Sequence, residues 1–205
     1  MPESERATDT RTRLLDAAEQ LVLDRGFAGT TVGAVIDRVG VTKGAFFHHF
    51  DSKAELGRAL VERYAEADIR EFEQNLALAE RLSDDPLRQM LAFVTLYQEK
   101  MEGLEAPYAG CLMASYCYEQ DLLDEETLSV GRRTMAEWRR RLSEKLDRVV
   151  EEHPPAGEVD IAGLADMVTV IVEGAFVLSR TMREPDAVAR QLGHYRRYLE
   201  LLFEG

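Results

Sequence analysis

The chain has 205 residues, a mass of 23.2 kDa and 45% apolar content, enough for one large domain or a small one joined to a medium one. A formal net charge of −13 argues against nucleic acid when taken whole, but residues 1–63 carry 9 Lys+Arg and 10 Asp+Glu while residues 64–205 carry 16 and 28. A near-neutral module therefore precedes an acidic body, and affinity for DNA depends on local phosphate contacts rather than on global pI.

Six prolines leave residues 3–85 free of them, and no run shows sustained period-2 alternation, so the fold class is all-α. Residues 1–9 read as a polar arm; with no apolar stretch behind it, no secretory leader is expected. A first helix runs from about Thr10 to Arg25, with Leu14, Ala18, Leu21 and Val22 inward and Gly26 as its C-terminal cap. Thr30 or Thr31 caps a second helix, whose Val32, Val35, Ile36 and Val39 recur at helical spacing until Gly40 stops it.

A short third helix over residues 43–49 follows directly. Phe46 and Phe50 share one face at i, i+4 spacing, whereas Gly44, Ala45, Phe47 and His48 lie opposite. Such an outward face, with two tiny residues, an aromatic and an imidazole, suits close approach to DNA. Helices two and three, separated by Gly40-Val41-Thr42, have the spacing of a helix-turn-helix, whose second helix enters the major groove. Thr42 and Lys43 sit at its N-terminus, where free N–H groups favour a phosphate.

Ser52 and Glu55 form a capping box for a fourth helix, in which Leu56, Leu60, Tyr64, Phe72 and Leu76 continue the apolar pattern. Asp85-Pro86 starts a fifth helix ending near Met101, Gly103 to Pro107 turn, and residues 108–119 form a sixth. A seventh runs from about Asp124 to His153, a loop spans Pro154 to Gly157, and Asp160 caps an eighth that is apolar nearly all round. The ninth starts at Pro185 and ends near Phe203. The longest apolar stretch, Met167–Val172, is too short to cross a bilayer, so no membrane partner and a cytoplasmic location are expected.

Cys111 and Cys117 on one helix would lie about 9 Å apart along its axis, too far to bridge. Reduced thiols follow. His48 and His49 diverge on a helix and have no further ligand nearby, which disfavours a metal. No Gly-x-Ser-x-Gly elbow, phosphate loop or cofactor motif is present, so neither an enzyme nor a cofactor is expected. Arg132-Arg133 and Arg139-Arg140-Arg141 interleave with Glu137 and Glu144, a solvated ion-paired face rather than a second nucleic-acid surface.

Residues 10–60 resemble the N-terminal domain of the TetR family of bacterial transcriptional regulators. Ala17-Ala18, Gly26-Phe27, Thr30-Thr31-Val32 and the run from Gly40 to Leu56 carry the resemblance. It implies a DNA-binding domain over residues 10–55 and a helical regulatory and dimerisation domain over 56–205. It places Thr31, Thr42, Lys43, Ala45, Phe47, His48, His49 and Lys53 at the DNA, with Gly44 keeping the helix slim. The family usually has Tyr where this chain has Phe47, so a phosphate-reaching hydroxyl is missing there.

The resemblance further implies a homodimer on a pseudo-palindromic double-stranded operator, released by a small-molecule effector held by helices four to eight. Candidate effector contacts are Leu104, Tyr108, Cys111, Leu112, Ser115, Tyr116, Trp138, Glu173 and Phe176, each of which also fits ordinary core. Glu173 in the most apolar helix needs a partner, either the effector or an arginine across the dimer. Cys111, in Gly110-Cys111-Leu112-Met113, is similar to a motif of a subgroup that includes electrophile-responsive repressors, which keeps thiol sensing open. A regulator with no small-molecule ligand is the remaining alternative. Val168, Val172, Ala175, Val188, Leu192, Tyr195 and Leu199 are the expected dimer contacts on helices eight and nine.

Overall fold

The structure, a computed structural model, describes residues 3–155 and 157–204. Residues 1 and 2 of the expected arm, and Ala156 of the expected loop, lie outside the described residues. The described chain is helical throughout: α1 (Glu3–Gly29), α2 (Val32–Val39), α3 (Lys43–Phe47), α4 (Lys53–Leu82), α5 (Pro86–Met101), α6 (Leu112–Cys117), α7 (Glu125–Glu152), α8 (Ile161–Met182) and α9 (Ala187–Phe203), with a 3-10 turn at Gln120–Leu122. No strand occurs among the described residues.

Most ends fall where the caps predict. Thr31 Oγ1 accepts from Ala34 N at 3.1 Å, and Gly40 closes α2 in the left-handed region at φ 73°. Asp85 accepts from Arg88 N at 2.8 Å beside Pro86 at the start of α5, and Asp160 accepts from Gly163 N at 3.1 Å. The Ser52–Glu55 box forms with an offset: Glu55 N donates to Ser52 Oγ, while Glu55 Oε2 accepts from Asp51 N, one residue earlier than in the standard pattern.

Two helices depart from expectation. α1 begins at Glu3 and takes in the polar arm, and it runs past Gly26 to Gly29 across a kink where Gly26 has φ 78° and ψ 169°. The sixth helix, expected over 108–119, is only Leu112–Cys117. Gly110 takes φ 109°, which breaks helical geometry, and after Cys117 a turn at residues 118–119 leads into the 3-10 turn.

The chain divides into two compact units. One holds the chain up to Ala67 together with Cys111–Arg133; the other holds Asp68–Gly110 and the chain from Thr134 onward. A single break near residue 56 was expected. α4 instead gives Leu56, Leu60 and Val61 to the core of the first unit, and the later segment returns Leu112, Met113, Tyr116 and Val130 to that same core. In the second unit α9 packs on both α5 and α8. Its interior includes Phe72, Phe93, Leu146, Leu164 and Tyr195, with Tyr195 Oη donating to Leu164 O at 3.0 Å. Lys145 is buried there too, and its ammonium donates to Glu80 Oε1 and Gln89 Oε1, each at 2.7 Å.

The residues expected at the dimer contact lie mostly inside their own chain. Val168, Ala175, Val188, Leu192, Tyr195 and Leu199 are buried within their own chain, and Val172 is half-buried. The apolar side chains that α8 and α9 leave exposed are Val170 (67%), Val177 (63%), Leu178, Met182, Tyr198 and Leu201 (60%). Isolated from its surroundings α8 is also long and apolar enough to cross a bilayer, against the expectation from Met167–Val172. However, Leu164, Ala165, Val168, Ala175 and Phe176 on it form core.

Gly57 of α4 lies against Phe27, and a Cβ there would come 2.7 and 2.9 Å from ring carbons. Gly→Ala inside a helix ordinarily stabilises by about 1 kcal/mol. Here the packed ring cannot yield, so Gly57→Ala is expected to destabilise the protein by about 1–3 kcal/mol in urea unfolding. A stabilised variant would show that Phe27 is loosely held.

Candidate nucleic-acid interface

The short third helix owes its form to its two ends. Thr42 is extended and its hydroxyl accepts from Ala45 N at 3.2 Å; Gly40 supplies the left-handed turn that brings α2 to it. Val41 N donates to Ile36 O at 3.3 Å, which completes the close of α2. Phe46 and Phe50 are fully buried, their centroids 5.8 Å apart, and they anchor the helix to the core formed with Leu14, Leu15, Ala18 and Val35. Burying two phenylalanines is the main term holding so short a helix, which could not persist alone.

The outward face is largely open to solvent. Thr31, Thr42, Lys43, Gly44, Phe47 and His48 are exposed, and Ala45 and His49 are half-buried. Phe47 leans edge-on against Phe46 at 5.2 Å, with Lys43 Nζ 5.8 Å from its ring centroid. That leaves an apolar ring and an ammonium side by side, able to meet a sugar or thymine methyl and a phosphate.

Lys53 behaves differently. Its ammonium donates to Phe27 O at 2.5 Å, lies 3.4 Å from Ala28 O, and sits 4.2 Å over the Phe27 ring. Burial lowers its pKa, opposed by the charge of Glu119. Lys53 thus serves as a strut to the end of α1 in this state of the protein, which neither motif nor spacing revealed.

His48 and His49 meet edge-on at 5.1 Å. Burial first, then the positive charges of His48 and Arg11, holds the His49 imidazole below the usual histidine range. Arg11 was missed by sequence reasoning because it falls in the first turns of α1, far from α3 in the chain. Its guanidinium lies 5.2 Å over the Phe50 ring and adds a cation to this face. Arg13, beside it, donates to Val39 O at 2.7 Å and ties α1 to the end of α2.

The expected effector contacts fall into both units. Cys111, Leu112, Ser115 and Tyr116 belong to the first, where Leu112 and Tyr116 are core: the Tyr116 hydroxyl donates to Gly57 O at 3.2 Å and its ring lies 5.4 Å from Phe27. Burial pushes the Tyr116 hydroxyl's pKa upward. Cys111 is half-buried and Cys117 exposed, and neither forms a disulfide.

Leu104, Tyr108, Trp138, Glu173 and Phe176 belong to the second unit. There Tyr108 stacks on Phe176 at 5.2 Å, while Leu104 and Glu173 are half-buried. Trp138 Nε1 donates to Asp68 Oδ2 at 2.7 Å, and its ring packs with Phe72 and Tyr97 at 4.5 and 5.9 Å. Burial raises the Asp68 pKa against the opposing indole bond. Asp68 was missed, although Tyr64, Asp68 and Phe72 stand at i, i+4, i+8, so an acid interrupts an apolar stripe. Among the described residues no group of three or more His, Cys, Asp or Glu is placed to hold a metal ion.

Residues 14–60 match the family model for bacterial regulatory proteins of the tetR family, and residues 86–195 match the tetracyclin repressor-like C-terminal domain. The chain belongs to the TetR family. The TetR-family relatives include the transcriptional regulator TtgR of Pseudomonas putida, 39% identical over 85 residues, 40% of this chain and 38% of TtgR. The repressor NemR of Escherichia coli is 32% identical over 123 residues, 59% of each protein. The aligned stretch covers less than two thirds of the length of either of these relatives. The crystal structure of reduced E. coli NemR superposes with a TM-score of 0.73 at 25% identity, covering 92% of this chain and 96% of that one. A TetR regulator from Chloroflexus aurantiacus reaches a TM-score of 0.78 at 24% identity over 97% and 98% of the two chains, a likeness of fold.

With its pKa held below the usual histidine range, His49 is mostly neutral at mildly alkaline pH, and a DNA phosphate brought beside it would favour the protonated ring. DNA binding is therefore linked to proton uptake, and affinity should rise as pH is lowered from about 8 toward 5.5, levelling off below the free-state pKa. Fluorescence anisotropy across that range should show a shallower pH dependence for His49→Gln than for the wild-type protein.

Proposed function

We propose that the chain is a dimeric transcriptional repressor that reads a pseudo-palindromic operator through α3 and leaves it when a small organic molecule binds. The outward face of α3 carries this reading. Gly44 and Ala45 let the helix come close to the groove floor, while Lys43 and the N-terminal N–H groups stand ready for phosphate. Thr31, at the start of α2, is the companion backbone contact, and Phe47, His48, His49 and Lys53 complete the proposed set.

Dimerisation uses the apolar side chains that α8 and α9 leave uncovered. Val170, Val177 and Leu178 of α8 recur at i, i+7, i+8, and Tyr198 and Leu201 of α9 stand at i, i+3. Pairing with the same face of a second copy gives a four-helix arrangement with twofold symmetry, which an operator with two half-sites demands. The small molecule meets the acidic second unit at its aromatic groups, Tyr108 with Phe176 and Trp138 with Asp68.

A duplex enriched from a random pool by the wild-type protein is expected to contain an inverted repeat. On that duplex Lys43→Ala should weaken binding and reduce the salt slope by about one phosphate contact. Ala45→Leu should abolish binding while the protein stays folded. Normal binding by Ala45→Leu would remove α3 from the groove.

Val177→Glu and Leu201→Glu place charges on the proposed dimer face. Each should give monomers in sedimentation equilibrium and lose the affinity that comes from two heads acting together. A variant that remains a dimer with both charges present would rule out this face.

A further inference from the structure

The segment Cys111–Arg133 falls within the stretch that matches the C-terminal family domain, yet it is packed with the DNA-reading helices. It enters the first unit from Gly110 and leaves toward Thr134, so both ends are continuous with the second unit. Its side chains converge on two places, the kink of α1 and the first turns of α4. Tyr116 reaches Gly57 O, and Glu126 pairs with Arg58. Glu119 reaches the kink, where its Oε2 accepts from Ala28 N at 2.6 Å and its other oxygen leaves no room for a Cβ at Gly26.

Lys53 grips the same peptide from the other side. Its ammonium takes Phe27 O and the carbonyl of Ala28, whose N–H is held by Glu119. The carboxylate also lies close enough for its charge to favour the protonated lysine. Residues 26–28 are therefore clamped between a lysine of the DNA-reading head and a glutamate of the segment that ties the head to the rest of the chain.

We propose that Glu119 is a positioning residue that holds Lys53 on the α1 kink and limits its release to a DNA phosphate. This deepens the repressor reading and rests on it, because it names the contact through which a shift of residues 111–133 alters DNA affinity. With Glu119 in place, phosphate must compete for an ammonium that already has two carbonyls, an aromatic face and a neighbouring carboxylate. When the segment moves away, the carboxylate leaves, the kink loses one of its bonds, and Lys53 turns outward. The clamp thus opposes DNA binding, and any signal that displaces Glu119 strengthens Lys53's contribution. Release by an effector then requires that the heads be re-spaced by more than this local gain.

Glu119→Gln tests the idea in the full-length protein, because the amide oxygen can still accept from Ala28 N while the charge is gone. The first readout needs no DNA. Acylation of the lysines by a water-soluble ester, followed by mass spectrometry, gives the rate at Lys53 relative to exposed Lys43. The ratio should rise about threefold or more in Glu119→Gln, with the melting temperature recorded to establish that the protein is folded. An unchanged ratio overturns the clamp.

The second readout is anisotropy on the duplex enriched by the wild-type protein. Glu119→Gln should bind about threefold tighter, with a salt slope steeper by up to about one contact. The gain should vanish when Lys53→Gln is present as well. An equal gain with and without Lys53, or weaker binding by folded Glu119→Gln, overturns the proposal. If the wild-type protein enriches no duplex and binds none in a salt-dependent way, the repressor reading falls, and with it the consequence for DNA. The acylation ratio still decides whether Glu119 holds Lys53.

Discussion

The first unit depends on how the chain passes through Gly26 and Phe27. At φ 78° the backbone enters a region that costs any residue with a Cβ, and Glu119 leaves no space for one. That turn sends Phe27 back under α1, where its ring lies against Tyr116 and so near Gly57 that α4 can approach only because position 57 lacks a side chain. Three distant stretches of chain thus share one ring. The orientation of α2 and α3 follows from the same turn, since Thr30 Oγ1 donates to Gly26 O at 2.8 Å just before Thr31 caps α2. Loosening this ring would disturb the DNA-reading face without touching any residue on it.

Much of the fold was legible because its helix ends are built from short-range chemistry. Thr31, Thr42, Asp85 and Asp160 each bond a backbone N–H three residues on, and a local bond of that kind can be read from spacing alone. The buried pair Phe46 and Phe50 was legible for the same reason, at i, i+4 across the end of a helix too short to bury anything else. Lys53 was not. Its partners are carbonyls 25 and 26 residues earlier, and their direction is set by the kink rather than by the type of residue.

The exposed apolar face of α8 and α9 was illegible for a related cause. A helix that is apolar nearly all round gives periodicity little to work with, so the inward and outward stripes of α8 carry similar residues. On α9 the stripe from Val188 through Leu199 is clear, but a clear stripe is the one a helix buries in its own chain first. The weaker one, with Tyr198 and Leu201, stays exposed. An amphipathic pattern therefore marks the intrachain core, and an interface is to be sought in the apolar residues left over from it. The sixth helix failed for a simpler reason: Gly110 and Pro107 stop its N-terminal extension, although Tyr108 and Leu112 keep a helical spacing across them.

The charge split gives these pieces a common logic. A head with nearly balanced charge draws its sequence-independent attraction for DNA from the few cations on its binding face, since that attraction scales with the phosphates neutralised. The acidic body adds repulsion, but only within about 8–10 Å at physiological salt, beyond which its charge is screened. Many of its arginines are also already committed, as with Arg140 to Glu137 and Glu144, and Arg139 to Asp166. A single head of this composition holds DNA weakly wherever it lands, so in the proposed dimer occupancy depends on two heads engaging at once. Under that condition a small change in one cation per head is doubled by symmetry. The cation to watch is then the one that the proposed clamp controls: Lys43 is exposed, whereas Lys53 is held at a junction that residues 111–133 also grip.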